Sequence, residues 1–253
     1  MYLTFIGAAR TVTGSQYLFE TNKRKFLVEC GLYQGHRAEA ERINRTFSFK
    51  PKDIQAAVLS HAHLDHSGNL PSLVRSGFRG QIYCTSATAD IAALLLEDSA
   101  HIQENDIRYL NKKLAQQNLP LKEPLYKITD VEAALKQFMP RQYSTSFQPV
   151  EGVKVTFYDA GHILGSSQVL IETENSRVLF SGDLGRKHVP ILKDPVIVGD
   201  VDYLMLESTY GNRTHASLEE MYNELRNLIE QGKVNRGKII IPAFAVERTQ
   251  NIL

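Results

Sequence analysis

Ten short runs of β-branched and aromatic residues, each closed by Gly, Asn, Asp or Pro, leave this chain few folds to choose from. They are YLTFIG (2–7), QYLFE (16–20), KFLVECG (25–31), AAVLSH (56–61), QIYCT (81–85), VKVTFYDAG (153–161), QVLIET (168–173), RVLFSGD (177–183), YLMLEST (203–209) and KIIIPAF (238–244). Runs of this kind and length, bounded by turn residues, are strand signals. Helical patterns fall between them. One begins near Ser86 and carries Ile91, Leu94, Leu95 and Leu96 on a helical period. TDVE (129–132) reads as a capping box opening a short helix through Phe138. Over 217–231, Leu218, Met221, Tyr222, Leu225, Leu228 and Ile229 share one face, with Ser217 as N-cap and Gly232 as stop. Strand pairs come first and strands alternating with helices follow, which predicts a mixed α/β protein. The last stretch, GKIIIPAFAVERTQNIL, begins a strand and a helix and stops after a turn or two, so the chain is expected to be cut inside an element.

A length of 253 residues suits one large domain, or one domain plus part of another. Lys+Arg 29 against Asp+Glu 28 leaves no global field for nucleic acid or an anionic membrane, so a polyanionic partner has to be held by a local site. Cys30 and Cys84 form no disulfide framework and fit a reducing compartment, the cytoplasm. The longest apolar run, IAALLL (91–96), is far short of a membrane span.

At the end of the run AAVLS stands SHAHLDHSGN (60–69), three histidines and an aspartate within six positions. A solvated polar loop is one reading and a metal site the other. His61 and His63 are two apart, so extended backbone turns both imidazoles to one side, while Asp65 and His66 face a neighbouring point as the chain turns. Neutral imidazoles and carboxylates are zinc ligands, and two such pairs suit two ions lying roughly 3.5–4 Å apart. The missing ligand types stand at later strand ends. His162 lies in FYDAGHILGSS and Asp183 in VLFSGDLGR, both between glycines. Alone each is weak, since GD is an ordinary turn signal.

HAHLDH, AGHILGS and SGDLG, in this order, resemble the metallo-β-lactamase superfamily. GAARTVTGS (7–15), CGLYQG (30–35), ESTYGNRTH (207–215) and IPAFAVERTQNIL (241–253) further resemble its β-CASP branch of RNA-processing nucleases, relatives of the cleavage-and-polyadenylation endonuclease. The resemblance implies an αββα sandwich over residues 1–210 and the start of an inserted β-CASP domain over 211–253. It implies one zinc on His61, His63 and His162, a second on Asp65 and His66, and Asp183 bridging them. It also implies hydrolysis of single-stranded RNA by a metal-held hydroxide, with Asp65 orienting the nucleophile and Glu207 helping to protonate the leaving oxygen. A homodimer or partners in a processing complex are expected with it.

Two departures qualify that picture. Relatives carry Asp-Cys-Gly where this chain has Glu29-Cys30-Gly31, and that aspartate supports the histidine ligands from outside, so the longer Glu29 rebuilds or weakens the support. A further family histidine, which completes the second zinc, belongs beyond Leu253. The first zinc is therefore expected to bind more firmly than the second, and this piece alone to be a weak or inactive nuclease. A hydrolase of small esters or thioesters, and a non-catalytic RNA- or protein-binding subunit, are the competing readings. His36, His101 and His188 read as surface or structural residues. His215 is a candidate to meet substrate, RKH (186–188) is a phosphate contact or a solvated turn, NKRK (22–25) reads as a hairpin loop, and Cys30 and Cys84 as buried thiols.

Overall fold

The computed structural model describes residues 1–21, 24–214, 216–243, 246 and 248–252, the side chains of Leu218, Asn251 and Ile252 excepted. His215 and the tip of the expected 22–25 loop fall outside the described residues. The chain divides into two compact units, Met1–Leu206 and Glu207–Leu253, against the expected boundary after residue 210.

The first unit runs β1 (Tyr2–Gly7), β2 (Gln16–Thr21), β3 (Arg24–Val28), α1 (Arg37–Arg45), β4 (Ala56–Val58), α2 (Leu64–Ser67), α3 (Leu70–Arg75), β5 (Gln81–Cys84), α4 (Ser86–Gln116), α5 (Ile128–Leu135), β6 (Phe138–Pro140), β7 (Phe147–Val150), β8 (Val153–Asp159), β9 (Ser167–Thr173), β10 (Ser176–Phe180) and β11 (Tyr203–Met205). The first six strands form one sheet in sequence order, antiparallel from β1 to β3 and parallel from β3 to β6. The other sheet has the order β11-β10-β9-β8-β7, antiparallel except where β11 joins β10 in parallel.

Strand alternation sorts the core into two layers. Phe19, Phe26, Val28, Ala56 and Val58 of the first sheet meet Val153, Val155, Phe157, Val169, Ile171, Val178 and Phe180 of the second, so the sheets pack face to face. The opposite face of the first sheet, with Leu18, Leu27, Ala57 and Ile82, packs under Leu70, Leu73 and Val74 of α3, Ala134 of α5 and Ala89 of α4. Phe19, Phe26 and Phe157 are wholly buried, each contributing about 2–3 kcal/mol of transfer free energy. The expected α/β sandwich of two mixed sheets flanked by helices is what this unit forms.

The local forecasts need several corrections. The helix expected from Thr129 to Phe138 is α5, which starts at Ile128; the Asp130 carboxylate accepts the Lys127 N–H at 2.9 Å. Phe138 instead opens β6, and neither β6 nor β7 was among the ten runs. Both are short and exist by pairing with β5 and β8. Along α4, Leu95 and Leu96 are buried but Leu94 is 66% exposed, because three consecutive leucines span too wide an arc to face one core.

The second unit holds α6 (Leu218–Val234) and α7 (Arg248–Ile252). Ser217, the expected N-cap, accepts through Oγ from Glu220 N at 3.2 Å, and the Glu220 carboxylate takes the Ser217 N–H at 2.7 Å, a reciprocal box beyond the single cap expected. The helix continues through Gly232, which was expected to stop it. Residues 238–243 form no strand, although KIII has strand composition, and Ile240 is 90% exposed.

Candidate metal centre

Buried β4 runs on into Leu59-Ser60-His61, and α2 begins one residue after His63. The turn of α2 that carries Asp65 and His66 is stitched to two other segments. Cys30 N donates to His66 O, Leu32 N to Leu64 O and Ser15 N to Asp65 O, each at 2.8 Å. Ser67 Oγ donates to Ala62 O at 2.8 Å and closes the turn from inside. Gly31 makes this approach possible, since a Cβ there would lie 1.6 Å from Asp65 O.

His162 arrives from β8 through Gly161, at φ +63°. The Ser166 hydroxyl accepts from the backbone of His162 at 3.0 Å and of Ile163 at 3.2 Å. Thr85 and Thr88 both donate their hydroxyls to Gly165 O, at 2.7 and 2.8 Å, which pins the same loop to the start of α4. Asp183 arrives from β10 through Gly182, at φ +54°. Ser167, at the start of β9, donates its N–H and its hydroxyl to Ser60 O, both at 2.9 Å, tying the two sheets together beside the cluster.

These strand ends converge on one edge of the sandwich. His61 Nε2 and His162 Nε2 lie 3.1 and 3.2 Å from His63 Nδ1. Asp183 Oδ2 lies 3.8 Å from His61 Nε2 and 3.5 Å from His162 Nε2. His61, His63, His162 and Asp183 each offer a ligand atom, all within 4.8 Å of one another. Ligands held about 2.0–2.1 Å from a tetrahedral zinc sit roughly 3.3 Å apart, so the donor set and its spacing fit such an ion. The other oxygen, Asp183 Oδ1, is 3.3 Å from His66 Nε2, and Asp65 Oδ2 lies 3.8 Å from that same nitrogen. One carboxylate thus faces both groups, and His61, His63, Asp65, His66, His162 and Asp183 all lie at this edge.

Burial and mutual charge prepare the donors. His61 is fully buried and held well below the ordinary histidine range by desolvation, reinforced by His66, His63 and His162. Burial also lowers His63, with Asp65 opposing. Burial works against charge on His66 too, but hydrogen bonds to Asp183 and Glu29 raise it well above the usual value. Asp183 is held at about 2: desolvation opposes ionisation, and the hydrogen bond from His66 and the surrounding histidines overcome it. His66 is thus biased toward the charged form beside Asp183, and His61 and His63 toward the neutral form that binds metal.

Glu207 opens the second unit. His36 precedes α1, His101 is exposed on α4, and His188 pairs with Asp194 at 3.6 Å on the surface. Cys30 and Cys84 are buried thiols pushed up to about 12 by desolvation. The sequence reading missed Ser60, whose hydroxyl lies 2.9 Å from His61 Nδ1, as well as Ser166 and Ser167. A hydroxyl adjoining a ligand was the only signal for Ser60.

Comparison with known proteins places this geometry in context. Residues 9–232 match the family model described as the metallo-beta-lactamase superfamily. The chain is 36% identical over 253 residues to Ribonuclease TTHA0252 of Thermus thermophilus, covering 100% of this chain and 54% of that protein. It is 30% identical over 261 residues to an RNase J-like protein of Methanocaldococcus jannaschii, covering 99% and 53%. With cleavage and polyadenylation specificity factor 73 of Drosophila melanogaster it shares 29% identity over 252 residues, covering 98% and 34%. The chain thus spans between about a third and a half of the length of these relatives. Among solved structures, a metallo-β-lactamase from Cronobacter sakazakii with a HARLDQ motif superposes with a TM-score of 0.51 at 18% identity, over 88% of this chain and 80% of that one.

Proposed function

Because the chain belongs to the metallo-beta-lactamase superfamily, we propose that it is the metal-binding part of a zinc-dependent hydrolase that cleaves the phosphodiester backbone of single-stranded RNA. The observation that carries this reading is Asp183, whose two oxygens face separate clusters: His61 and His162 on one side, His66 on the other. The names of the relatives support RNA as the substrate.

In this reading His61, His63 and His162 would hold one ion, Asp65 and His66 would hold a second, and Asp183 would serve both. Bound zinc supplies a lowered water pKa and neutralises phosphoryl charge. The protein does the rest. The rigid loops fix the six donors before substrate arrives, which removes the cost of ordering them during reaction. Asp65, partly exposed beside His66, orients the nucleophile. Glu207 helps protonate the departing oxygen, and residues from 211 on begin the β-CASP domain. Cys30 and Cys84, buried thiols with no disulfide, suit a cytoplasmic enzyme. No described helix is long and apolar enough to cross a membrane.

The test is zinc titration by calorimetry alongside cleavage of a labelled single-stranded RNA and of a small thioester. One firmly held ion and a second, weaker one, with weak RNA cleavage, all reduced in Asp183→Asn, are expected. Thioester hydrolysis without RNA cleavage would overturn the substrate assignment, and a single ion would overturn the two-ion one.

A further inference from the structure

Beyond Asp183 the chain stays beside the metal centre. It makes a loop, residues 185–195, whose two roots both pack on the segment that delivers His162. At the first root Gly185 N donates to Ala160 O at 2.8 Å, and a Cβ on Gly185 would lie 1.5 Å from Gly161 O, so only glycine allows the contact. At the second, a Cβ on Gly161 would meet Lys193 O at 2.6 Å and Pro195 Cδ at 2.9 Å, and Val196 N donates to Asp159 O at 2.9 Å. A clasp closes the loop between its roots. Asp194 Oδ1 accepts the His188 N–H at 2.7 Å, and Oδ2 lies 3.6 Å from His188 Nδ1. The enclosed turn holds Ile191 at φ +75°, which a β-branched residue keeps only where its surroundings impose it, yet this side chain is 63% exposed. Roots and clasp therefore set the shape of the loop, and burial of its tip does not.

The loop carries Arg186, Lys187 and Lys193 against one carboxylate, Asp194, in a chain whose net charge is only +1. Arg186 is half-buried, whereas Lys187 and Lys193 are exposed, and no ion pair among the described residues engages either lysine. Lys187 is four residues on from Asp183, so its backbone lies within roughly 14 Å of that residue's. The Lys193 carbonyl lies against the glycine before His162. A charge-balanced chain that handles a polyanion needs a local cationic site, and this one adjoins the metal centre. We propose that Lys187 and Lys193 form a phosphate subsite for the RNA strand, holding backbone phosphates next to the one at the metal centre. The proposal rests on the RNA reading above. An ammonium is a point charge on a flexible stem, so the two lysines grip the backbone without reading the bases. Asp194 fixes the loop that bears them and leaves one opposing charge beside them.

The test is binding of a fluorescein-labelled single-stranded RNA, followed by anisotropy at several salt concentrations, with metal chelated so that the strand stays whole. Each phosphate contact on a single strand adds about 0.7 to the steepness with which log affinity falls against log salt. Lys187→Gln and Lys193→Gln should each lower that slope by about 0.7 and the double variant by about 1.4, with affinity falling alike for every base sequence. Asp194→Asn reverses the sign: its amide oxygen still accepts the His188 N–H while the opposing charge goes, so binding should tighten. Unchanged slopes in both lysine variants, losses that depend on base sequence, or weaker binding by Asp194→Asn would each overturn the proposal. Zinc calorimetry separates a subsite from a prop, because a lysine that merely supported the centre would weaken zinc as well as RNA. If the unaltered protein binds no RNA and, loaded with zinc, cuts none, the RNA reading fails and the subsite with it. If it binds RNA and the lysine variants bind it equally well, the subsite alone fails.

Discussion

Replacing Gly31 with alanine should dismantle the metal centre without touching a ligand. The added Cβ would lie 1.6 Å from Asp65 O, 2.2 Å from Asp65 C and 2.8 Å from His66 N, all of them backbone atoms. Real Cβ contacts do not fall under 3.0 Å, so the turn bearing Asp65 and His66 has to retreat by about 1.4 Å or more. No side chain can rotate away to relieve this. The retreat strains the 2.8 Å bonds from Cys30 and Leu32 that flank the contact and the 2.8 Å bond from Ser15 to Asp65 O. Overpacking costs about 1–3 kcal/mol, and weakening three such bonds adds about 1 kcal/mol each, giving a loss of about 4–6 kcal/mol. A ligand displacement of this size also takes His66 out of reach of Asp183, now at 3.3 Å. Urea unfolding followed by circular dichroism measures the first effect and zinc calorimetry the second. A Gly31→Ala protein with unchanged stability and two ions of unchanged affinity would refute the claim that this glycine sets the spacing of the site.

Other outcomes follow from the same packing. Ser60→Ala removes the hydroxyl 2.9 Å from His61 Nδ1, and calorimetry should show the first zinc weakened about tenfold while the fold is kept. Phe157→Ala empties a fully buried position between the sheets, and should cost about 3–5 kcal/mol in denaturant unfolding. Glu220 has a lowered pKa because it accepts from the Ser217 backbone and then supports its side chain. Its folded value lies below its unfolded one, so the stabilisation is full above the ordinary glutamate pKa of about 4.3 and is lost as pH falls through the folded value. Amide exchange in the first turn of α6 should therefore quicken in acid, and Glu220→Gln should abolish that pH dependence.

Much of the fold was legible because its signals are local. Nine of the ten runs became strands, since each carries its own β-branched and aromatic residues and its own turn residues. His61, His63, Asp65 and His66 were legible for the same reason: a strand end followed by a tight turn brings them together over six positions. What stayed hidden depends on atoms far apart in sequence. β6 and β7 are too short to announce themselves and form only by pairing with neighbours. Leu94 looked like core because helical period says which residues share a face, not which face is covered. KIII has strand composition, yet composition supplies no partner edge, and 238–243 form no strand. The clearest case is Glu29. In the sequence it is a departure of uncertain effect, 31 residues from Ser60 and 37 from His66. Only the packing of β3 against β4, with a left-handed backbone at Glu29, puts one carboxylate against Ser60 N and His66 Nδ1. The sequence by itself determined which side chains could bind metal. Tertiary structure decided that Asp183 would face both clusters and that Glu29 would meet Ser60 and His66 at once, because hydrogen bonds are set by distance in space and not along the chain.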